Sequence, residues 1–535
     1  MHIFVLIVTM LFSVGSSAFA DEAVHDESLN AAFNIMAGRD FVAKEAALTH
    51  ILESDVKNAQ QIIAGILAGT VMRVKKTKQV VFVEKQGKIY LATDIINQQP
   101  VGEFKKRTLK KFTINNTLRG YIRDLLARHN LTSEQAEIRL AAVHTLLDNP
   151  ALSHRAILEP LLQQETDPEV QAAMQLSIAL AQLQDADPAV RLQAIEFVTE
   201  SLEPAVRNRL TTLAAEDVDG AVRQAAESAL VRIEDRITLF GYIETLFFGV
   251  SAGTVLVLAA IGLAITFGVM GVINMAHGEL IMLGAYTTYL IQLALSSMPG
   301  LSLVLAVPAA FIVSGLVGIA IERGVIRFLY GRPLETLLAT FGISLILQQL
   351  VRTVISPQNV PVANPEFMSG LLEINSVLSL TYNRIYIIIF CLIVFATLFV
   401  VLKKTRLGLQ VRAVSQNRAM ARAMGVRSSR VDALTFGLGA GIAGVAGVAL
   451  SQLTNVGPNL GQSYIVDSFL VVVFGGVGNL WGTLISGLSL GIANKFMEPW
   501  AGAVMAKILV LIVVILFIQK KPRGLFPQQG RAVEH

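Results

Sequence analysis

The sequence predicts a mainly α-helical protein in which a polytopic helical membrane domain follows an exported, α-rich domain with helical repeats and a small β-hairpin. The first observation is composition: 53% of the 535 residues are hydrophobic and 16% are charged, whereas about a quarter of the residues of a soluble protein are charged. The second is the distribution of charge, which is frequent up to Arg236 but is limited to Glu244 and Glu279 between Leu239 and Ile321. The third is an Asp-Pro phrase that recurs ahead of helical patterns in the charged part.

Residues 1–20 have the pattern of a secretory signal peptide. An apolar run from Ile3 to Phe12 precedes Ala18-Phe19-Ala20, which fits a small-x-small cleavage site before Asp21. The alternative, an uncleaved anchor, is disfavoured because the run is shorter than the roughly 20 residues that cross a bilayer. Cleavage here predicts that the region from Asp21 to about Arg236 is exported.

The first part of the exported region, residues 21–131, is predicted to be an α+β segment. The runs Gln79–Glu84 and Lys88–Leu91 are β-like and are separated by a short polar link that contains Gly87. Because glycine readily adopts φ > 0, this pattern predicts a hairpin.

The second part, residues 132–236, is predicted to be helical. Asp167-Pro168, Asp187-Pro188 and Asp219-Gly220 each open a helical pattern, since Asp caps helices and Pro fits their first turn. The recurrence resembles HEAT-type repeats, and an ordinary helical domain is the alternative. No catalytic or metal-ligand spacing is evident among the exposed-looking histidines, which are His129, His144 and His154.

The membrane domain is predicted to occupy residues 239–526, with about eight membrane segments and a cytoplasmic tail at 527–535. Seven spans have near-bilayer length: Phe247–Phe267, Glu279–Leu295, Leu301–Ile321, Leu334–Ile355, Ile385–Leu402, Ala433–Leu453 and Ala501–Ile518. The eighth apolar stretch, Ser468–Ala493, is longer and rich in glycine.

Basic residues orient these spans, because Lys and Arg concentrate in cytoplasmic connectors. The connector after Leu402 has eight Lys or Arg and no acid before Asp432, which places it inside. The tail beginning at Lys520 is predicted inside as well, and Thr353–Asn383, without Lys or Arg, is predicted outside. With the exported region outside, Ser468–Ala493 must then cross an even number of times, as a re-entrant hairpin or as two short helices.

Glycines predict where that stretch breaks, at Gly475–Gly482, and a similar break is predicted at Gly271–Glu279. The phrase Gly-Val-x-Asn occurs in both segments. Interrupted segments in corresponding halves of a transporter indicate its solute path. The candidate path residues are Asn274, His277, Glu279, Gln348 and Asn479. The alternative for His277 and Glu279 is a solvated or helix-capping role at the inner interface.

The basic connector contains a candidate docking helix from Asn417 to Met424, with Gly425 well placed as the residue that ends it. The alternative is a loop that only follows the positive-inside rule. The candidate docking residues are Arg412, Arg418, Ala421, Arg422, Met424 and Gly425.

Small residues in the next span are predicted to allow close helix packing: Gly437, Gly441, Gly444 and Gly447. The run from Gly439 to Gly444 also matches the dinucleotide fingerprint, but it lies in an apolar span with no preceding strand, so that interpretation is rejected.

The single cysteine, Cys391, excludes a disulfide or thiolate metal site within the chain. No Walker A motif occurs, so no cofactor is expected here and any ATP is bound by another subunit. The small net charge of +4 argues against a nucleic-acid partner.

Three motifs in order resemble the permeases of branched-chain amino-acid-type ABC importers. Gly271–Glu279 resembles the family's Ile-Asn-x-Ala-His-Gly-Glu segment, Arg412–Val426 its ATPase-coupling loop, and Phe474–Asn479 its Gly-Gly-x-Gly segment. The resemblance runs from about Thr245 to Gly524. It implies a transport subunit of the bacterial inner membrane, not an enzyme, with a second homologous permease, two cytoplasmic ATPase subunits and a periplasmic binding protein as partners.

Within that family the sequence resembles the urea-importer permeases. The supporting segments are Leu334–Thr340, Val456–Tyr464 and Ile518–Phe526, together with the long exported extension. This resemblance implies urea or a short amide as the solute. The alternatives are branched-chain amino acid import, a passive small-solute channel, and a receptor that senses through its exported region.

Overall fold

The computed structural model describes residues 29–54, 58–87, 89–95, 98–148 and 151–526. The predicted signal segment and the tail 527–535 lie outside these residues. Contacts between Cα atoms divide the chain into two compact units, Met1–Glu234 and Asp235–His535. Each unit has its own hydrophobic core.

A five-stranded antiparallel sheet lies in the first unit, with strand order β4-β3-β2-β1-β5. The strands are β1 (Val71–Val74), β2 (Val80–Gln86), β3 (Ile89–Asp94), β4 (Pro100–Lys105) and β5 (Leu109–Lys111). The predicted hairpin is confirmed as β2–β3, which closes at the pair Gln86 and Ile89 around Gly87 with φ 63°. Sequence reasoning missed the other three strands, which are short or strongly charged.

Four helices accompany the sheet: α1 (residues 29–36), α2 (Phe41–Glu53), α3 (Ala59–Ala68) and α4 (Asn116–Asn130). Their apolar faces form one core with the buried face of β1 and β2, where Leu48, Ile63 and Ile122 are fully buried. Burial of such side chains contributes about 1.5–3 kcal/mol each. This core therefore stabilises the α+β part of the unit.

The helical part of the first unit contains α5 (Ala136–Leu147), α6 (Leu152–Leu162), α7 (Pro168–Gln182), α8 (Pro188–Val198), α9 (Pro204–Glu216) and the start of α10 (Gly220–Met270). The recurring phrase does begin helices: Asp167, Asp187 and Asp219 each accept hydrogen bonds from first-turn backbone amides. The expectation that His154 is exposed is wrong. Its ring is 2% exposed, and Nε2 lies 2.8 Å from Asp124 Oδ1.

Ion pairs between a helix and the connector that follows a later helix repeat along this part. Arg139 on α5 donates from Nε and Nη2 to the two oxygens of Glu165, each at 2.7 Å. Arg191 on α8 makes the equivalent contact with Asp217 at 2.9 Å. Because the Glu165 side chain is 4% exposed, solvent screens its pair only weakly.

Replacing Glu165 by glutamine is expected to remove an acid-sensitive stabilisation of this unit. The hydrogen bonds from Arg139 lower the Glu165 pKa from its usual 4.5 to about 2. A lowered folded-state pKa stabilises above pH 4.5, and that contribution is lost as the pH falls toward 2. The measurement is hydrogen exchange of the backbone amides of α5–α7 in the full-length protein, corrected for intrinsic exchange rates. In the wild type, amide protection should fall between pH 5 and pH 3. In E165Q the fall should be smaller. Equal drops in both would contradict the prediction.

The second unit is helical apart from the two-stranded hairpin β6 (Leu371–Glu373) and β7 (Ser379–Thr381). After α10, its helices are α11 (His277–Ala294), α12 (Pro299–Gly324), α13 (Pro333–Val354), α14 (Tyr382–Lys404), α15 (Arg406–Gln416), α16 (Arg418–Ala423), α17 (Ser428–Ser451), α18 (Leu460–Gly475) and α19 (Leu480–Lys520). Within the described residues, six helices are long and apolar enough to cross a membrane: α10, α12 with the short turn after it, α13, α14, α17 and α19. Helix α11 has 18 residues and includes His277 and Glu279, which make it less apolar.

The glycine-rich stretch is broken as predicted, between α18 and α19. Helix α18 ends before Gly476 with φ 100°, and α19 begins after Asn479. A second break at Gly502, with φ 78°, divides α19 into two helical segments. Helix α18 begins at Leu460 and contains Asp467. Asp467 pairs with Lys507 at 3.4 Å.

Glycines set the closest approaches between the membrane helices. Gly437 packs on Ile319, Gly441 on Phe311 and Gly444 on Ser314, all of α12. Gly447 lies against the α11 backbone, where an added Cβ would be 2.6 Å from the Ala285 nitrogen. Helix α17 thus fits between α11 and α12 with 89% of its most apolar window buried, as small residues permit.

Candidate functional site

The chain between α10 and α11 is irregular and lies inside the helix bundle. Gly271 has φ 66°, and α11 does not resume until His277. Asn274 is 1% exposed and stabilises this segment, because its Oδ1 accepts from the Ala276 nitrogen at 3.0 Å. Non-helical backbone at membrane depth needs such internal partners. The Asn274 Nδ2 has no hydrogen-bond partner within the described part of the chain.

His277 lies at a helix crossing and not at a water interface. Its ring is fully buried, and Nε2 donates to the Ala259 carbonyl of α10 at 2.8 Å. An added Cβ on Gly262 would be 2.9 Å from His277 Cε1 and would also overlap the carbonyl of Gly439. The ring therefore fills the space that these two glycines leave between α10 and α17.

Glu279 is the most constrained ionisable group in the site. It is 1% exposed, and its Oε1 accepts from Ser344 Oγ at 3.0 Å and from Gln348 Nε2 at 2.8 Å. Its Oε2 has no partner among the described residues. Ionisable residues inside membrane proteins are costly to bury and mark functional sites by default. The solvated alternative for His277 and Glu279 is therefore wrong in this conformation.

Four polar side chains on one face of α13 form a buried stripe: Thr336, Thr340, Ser344 and Gln348, each at most 4% exposed. The stripe faces the irregular segment and α11, since Thr340 Oγ1 accepts from the Met275 nitrogen at 3.1 Å and Ser344 contacts Glu279. Sequence reasoning found only Gln348. The missed signal is the four-residue spacing of hydroxyl and amide groups, which places them on one helix face.

The start of α11 meets the start of α18. An added Cβ on Gly278 would be 2.5 Å from the Gly461 carbonyl oxygen, so the starts of α11 and α18 are in backbone contact. Helix N-termini that meet inside a bundle direct their positive ends into it. The predicted correspondence of Gly271–Asn274 with Gly476–Asn479 stays a prediction. The end of α10 does approach the second segment, since an added Cβ on Gly268 would overlap the Gly478 backbone.

Asn479 has a structural role. Its Oδ1 accepts from the Trp481 and Gly482 nitrogens at the start of α19, and its Nδ2 donates to the Phe526 carbonyl. The end of the chain packs on the same turn, since the Leu525 nitrogen donates to the Phe474 carbonyl at 2.9 Å. Asn479 is thus a helix cap that also holds the segment ending at Phe526, and its assignment to the path stays a prediction.

The predicted short helix of the basic connector forms as α16. Asn417 caps it by accepting from the Met420 nitrogen at 2.9 Å, and Gly425 follows it with φ 85°. Ala421 faces inward, where it is 5% exposed and packs with Val411 and Val431. Ala421 therefore holds α16 against α15 and α17, and its contact with a partner stays a prediction.

Two of the candidate docking arginines are engaged within the chain. Arg418 donates from both Nη atoms to the two oxygens of Asp432 at 2.9 Å, and its guanidinium lies 4.9 Å from the Tyr330 ring centroid. Arg422 Nε donates to Ser428 Oγ at 2.8 Å. These contacts fix α16 against the start of α17.

Two methionines are exposed on and directly after α16. Met420 is 61% exposed and Met424 is 78% exposed. Arg412 on α15 is exposed as well, although Nη1 donates to the Leu402 carbonyl at 3.2 Å. Flexible methionines on an exposed helix are typical of adaptable protein contacts.

Comparison with known proteins places the second unit in a family. A family model described as branched-chain amino acid transport system, permease component, matches residues 245–518, slightly more than half of the chain. The high-affinity branched-chain amino acid transport system permease protein BraD of Pseudomonas aeruginosa is 31% identical over 54% of this chain and 96% of its own length. The corresponding protein LivH of Escherichia coli (strain K12) is 31% identical over 53% of this chain and 95% of its own.

A more distant relative is the ribose import permease protein RbsC of Escherichia coli (strain K12), which is 26% identical over 48% of this chain and 78% of its own length. No solved structure matches the chain. The region matched by the family model contains the buried polar stripe, the irregular segment and the connector described above. The chain therefore belongs to the branched-chain amino acid transport system permease component family.

Proposed function

We propose that this chain is the permease subunit of an ATP-driven importer in the bacterial inner membrane, and that it forms the path for a small polar solute. The site formed by Asn274, Glu279 and the α13 stripe carries this proposal. It combines buried hydroxyl, amide and carboxyl groups with two polar atoms, Asn274 Nδ2 and Glu279 Oε2, that have no partner in the described chain. Buried polar groups are otherwise paired in folded proteins, so these two are suited to a transient ligand.

The proposed solute is urea or a short amide. Urea offers N–H donors that a free carboxyl oxygen accepts and a carbonyl that an amide N–H satisfies. Glu279 Oε2 and Asn274 Nδ2 are one such acceptor and one such donor. A second homologous permease, two ATPase subunits and a periplasmic binding protein complete the proposed importer, with ATP bound by the ATPase subunits and the exported region on the periplasmic side.

Branched-chain amino acid import is the second candidate. The relatives BraD and LivH, named as branched-chain amino acid permeases, are 31% identical over nearly their whole length, and this observation favours the second candidate. Uptake of labelled urea and labelled leucine in a deletion strain that carries the wild-type chain separates the two. Restored urea uptake supports the first proposal, and restored leucine uptake with unchanged urea uptake overturns it.

Replacing Gln348 by alanine is expected to reduce solute uptake about tenfold or more. The change removes the donor that orients Glu279 and leaves a buried carboxyl oxygen without one of its partners, a loss of about 1.5–3 kcal/mol for a hydrogen bond to a charged group. Gln349 is the matched control, since it is the next residue on α13 and is exposed. Initial uptake rates, normalised to protein in the membrane, check this. Equal losses in Q348A and Q349A would exclude a specific role for the stripe.

Coupling to ATP distinguishes an importer from a passive channel. Replacing Met420 and Met424 by aspartate is expected to abolish ATPase association and uptake, because both side chains are exposed and charge would oppose their burial by a partner. A passive channel would stay active in this double variant. A receptor that senses through its exported region would show no uptake even in the wild type.

A further inference from the structure

A cavity of about 300 Å³ lies between α10, α18, α19 and the first turn of α14, away from the buried polar stripe. Much of its wall is apolar and includes Val255, Leu256 and Leu470. Five charged side chains also line it: Arg384, Asp467, Lys495, Glu498 and Lys507. This set belongs neither to the proposed path nor to the basic connector.

The charges in this cavity do not balance. Lys495 pairs with Glu498 at 2.5 Å, and Lys507 pairs with Asp467 at 3.4 Å. Arg384 remains, with its guanidinium 4.7 Å from the Phe248 ring centroid and no carboxylate within salt-bridge distance among the described residues. Three cations against two acids leave one positive charge. An unpaired charge among membrane helices is costly and calls for a partner.

The local backbone adds to the same positive potential. Arg384 lies in the first turn of α14, where Thr381 makes no side-chain capping bond. A helix N-terminus is itself positive and binds anions through free N–H groups. A cation at this position is therefore unfavourable until an anion joins it. The wall also carries Asn494, whose buried Oδ1 has no hydrogen-bond partner in the described chain.

We propose that this cavity binds the phosphodiester headgroup of an anionic membrane phospholipid, with the phosphate at Arg384. One phosphate monoanion neutralises the surplus charge, and the apolar wall covers the start of the acyl chains. Asn494 Oδ1 accepts from a headgroup hydroxyl, which favours a glycerol headgroup. Inorganic phosphate would satisfy the same guanidinium but would leave the apolar wall uncovered.

Aromatic residues near the cavity are consistent with a membrane–water interface at this level. Tyr242 of α10 stacks on Phe496 of α19 with ring centroids 6.3 Å apart. Trp500, four residues further along α19, is 91% exposed. Amphipathic aromatic rings concentrate where headgroups lie, which is the depth at which a lipid phosphate would reach Arg384.

The test uses the full-length protein, purified in mild detergent. Native mass spectrometry measures retained lipid, and thermal unfolding is followed with added phosphatidylglycerol, phosphatidylcholine or inorganic phosphate. The wild type should retain phosphatidylglycerol and should be stabilised by it, with little effect of the other two. R384Q should lose both effects at least tenfold, R384K should keep part of them, and R430Q, an exposed arginine of the connector, should match the wild type.

Three outcomes would overturn the proposal. Equal stabilisation by inorganic phosphate would indicate a free-anion site, and equal stabilisation by phosphatidylcholine would exclude charge recognition. Retention of phosphatidylglycerol by R384Q would exclude Arg384 as its ligand. If R384Q does not fold, the lipid titrations of the wild type and R384K decide the question by themselves.

Discussion

Replacing Asp432 by alanine is expected to abolish ATP-driven uptake while most of the membrane helices remain folded. The Asp432 side chain is 2% exposed and is the only described carboxylate that pairs with Arg418. Removing one partner of a buried pair costs about 3–5 kcal/mol, and the lower end applies because the Arg418 side chain is 31% exposed and stays partly hydrated. If the conformation in which the connector is held in place loses about 3 kcal/mol of stabilisation, its population falls roughly a hundredfold.

The measurement is ATP-dependent uptake in proteoliposomes with the purified importer, together with the amount of ATPase subunit that co-purifies. Glu335→Gln is the matched control, because Glu335 forms an exposed pair with Arg332 in another connector. Such exposed pairs contribute about 0–1 kcal/mol, so E335Q should transport normally. Normal uptake by D432A would show that the Arg418–Asp432 pair does not hold the connector in its working position.

Replacing Gly447 by alanine is expected to prevent correct packing of α11 against α17. The added methyl group would overlap the Ile281 carbonyl oxygen and would lie 2.6 Å from the Ala285 nitrogen. Both are helix backbone atoms, which cannot move aside as a flexible side chain can. Overpacking lowers the free energy of unfolding by about 1–3 kcal/mol where side chains can adjust. For G447A we expect a decrease at the upper end of that range or larger.

Gly342→Ala is the matched control on α13, since an added Cβ there meets no atom within 4 Å. Alanine favours a helix over glycine by about 0.5–1 kcal/mol, so G342A should be neutral or slightly stabilised. Membrane abundance and the thermal unfolding midpoint of both variants check this. A G447A protein as abundant and stable as G342A would show that α11 and α17 are further apart than the structure places them.

Local sequence signals predicted the local structure well. The caps Asp167, Asp187 and Asn417 begin their helices, and Gly425 and Gly476 follow the helices that they were expected to end. Each of these features depends on residues within one or two turns of chain. Hydrogen bonds and φ preferences at that range are encoded by residue type alone.

Contacts within the chain were harder to predict than local structure. The basic connector predicted partner contacts for Arg418 and Arg422 and gave no sign that Asp432 and Ser428 accept hydrogen bonds from them. The glycine break likewise gave no sign that Asn479 caps α19. The docking and path roles of these residues stay predictions.

The sequence by itself determined that the second half of the chain is a set of apolar helices with two interior breaks, since hydropathy and glycine placement are local properties. Only the tertiary structure decided which distant segments pack against the first break. It brought Gly278 to Gly461 and placed Glu279 against Ser344 and Gln348. The physical reason is that contacts between distant segments depend on how whole helices pack, and α17 fits between α11 and α12 only where glycines on its different faces meet both neighbours.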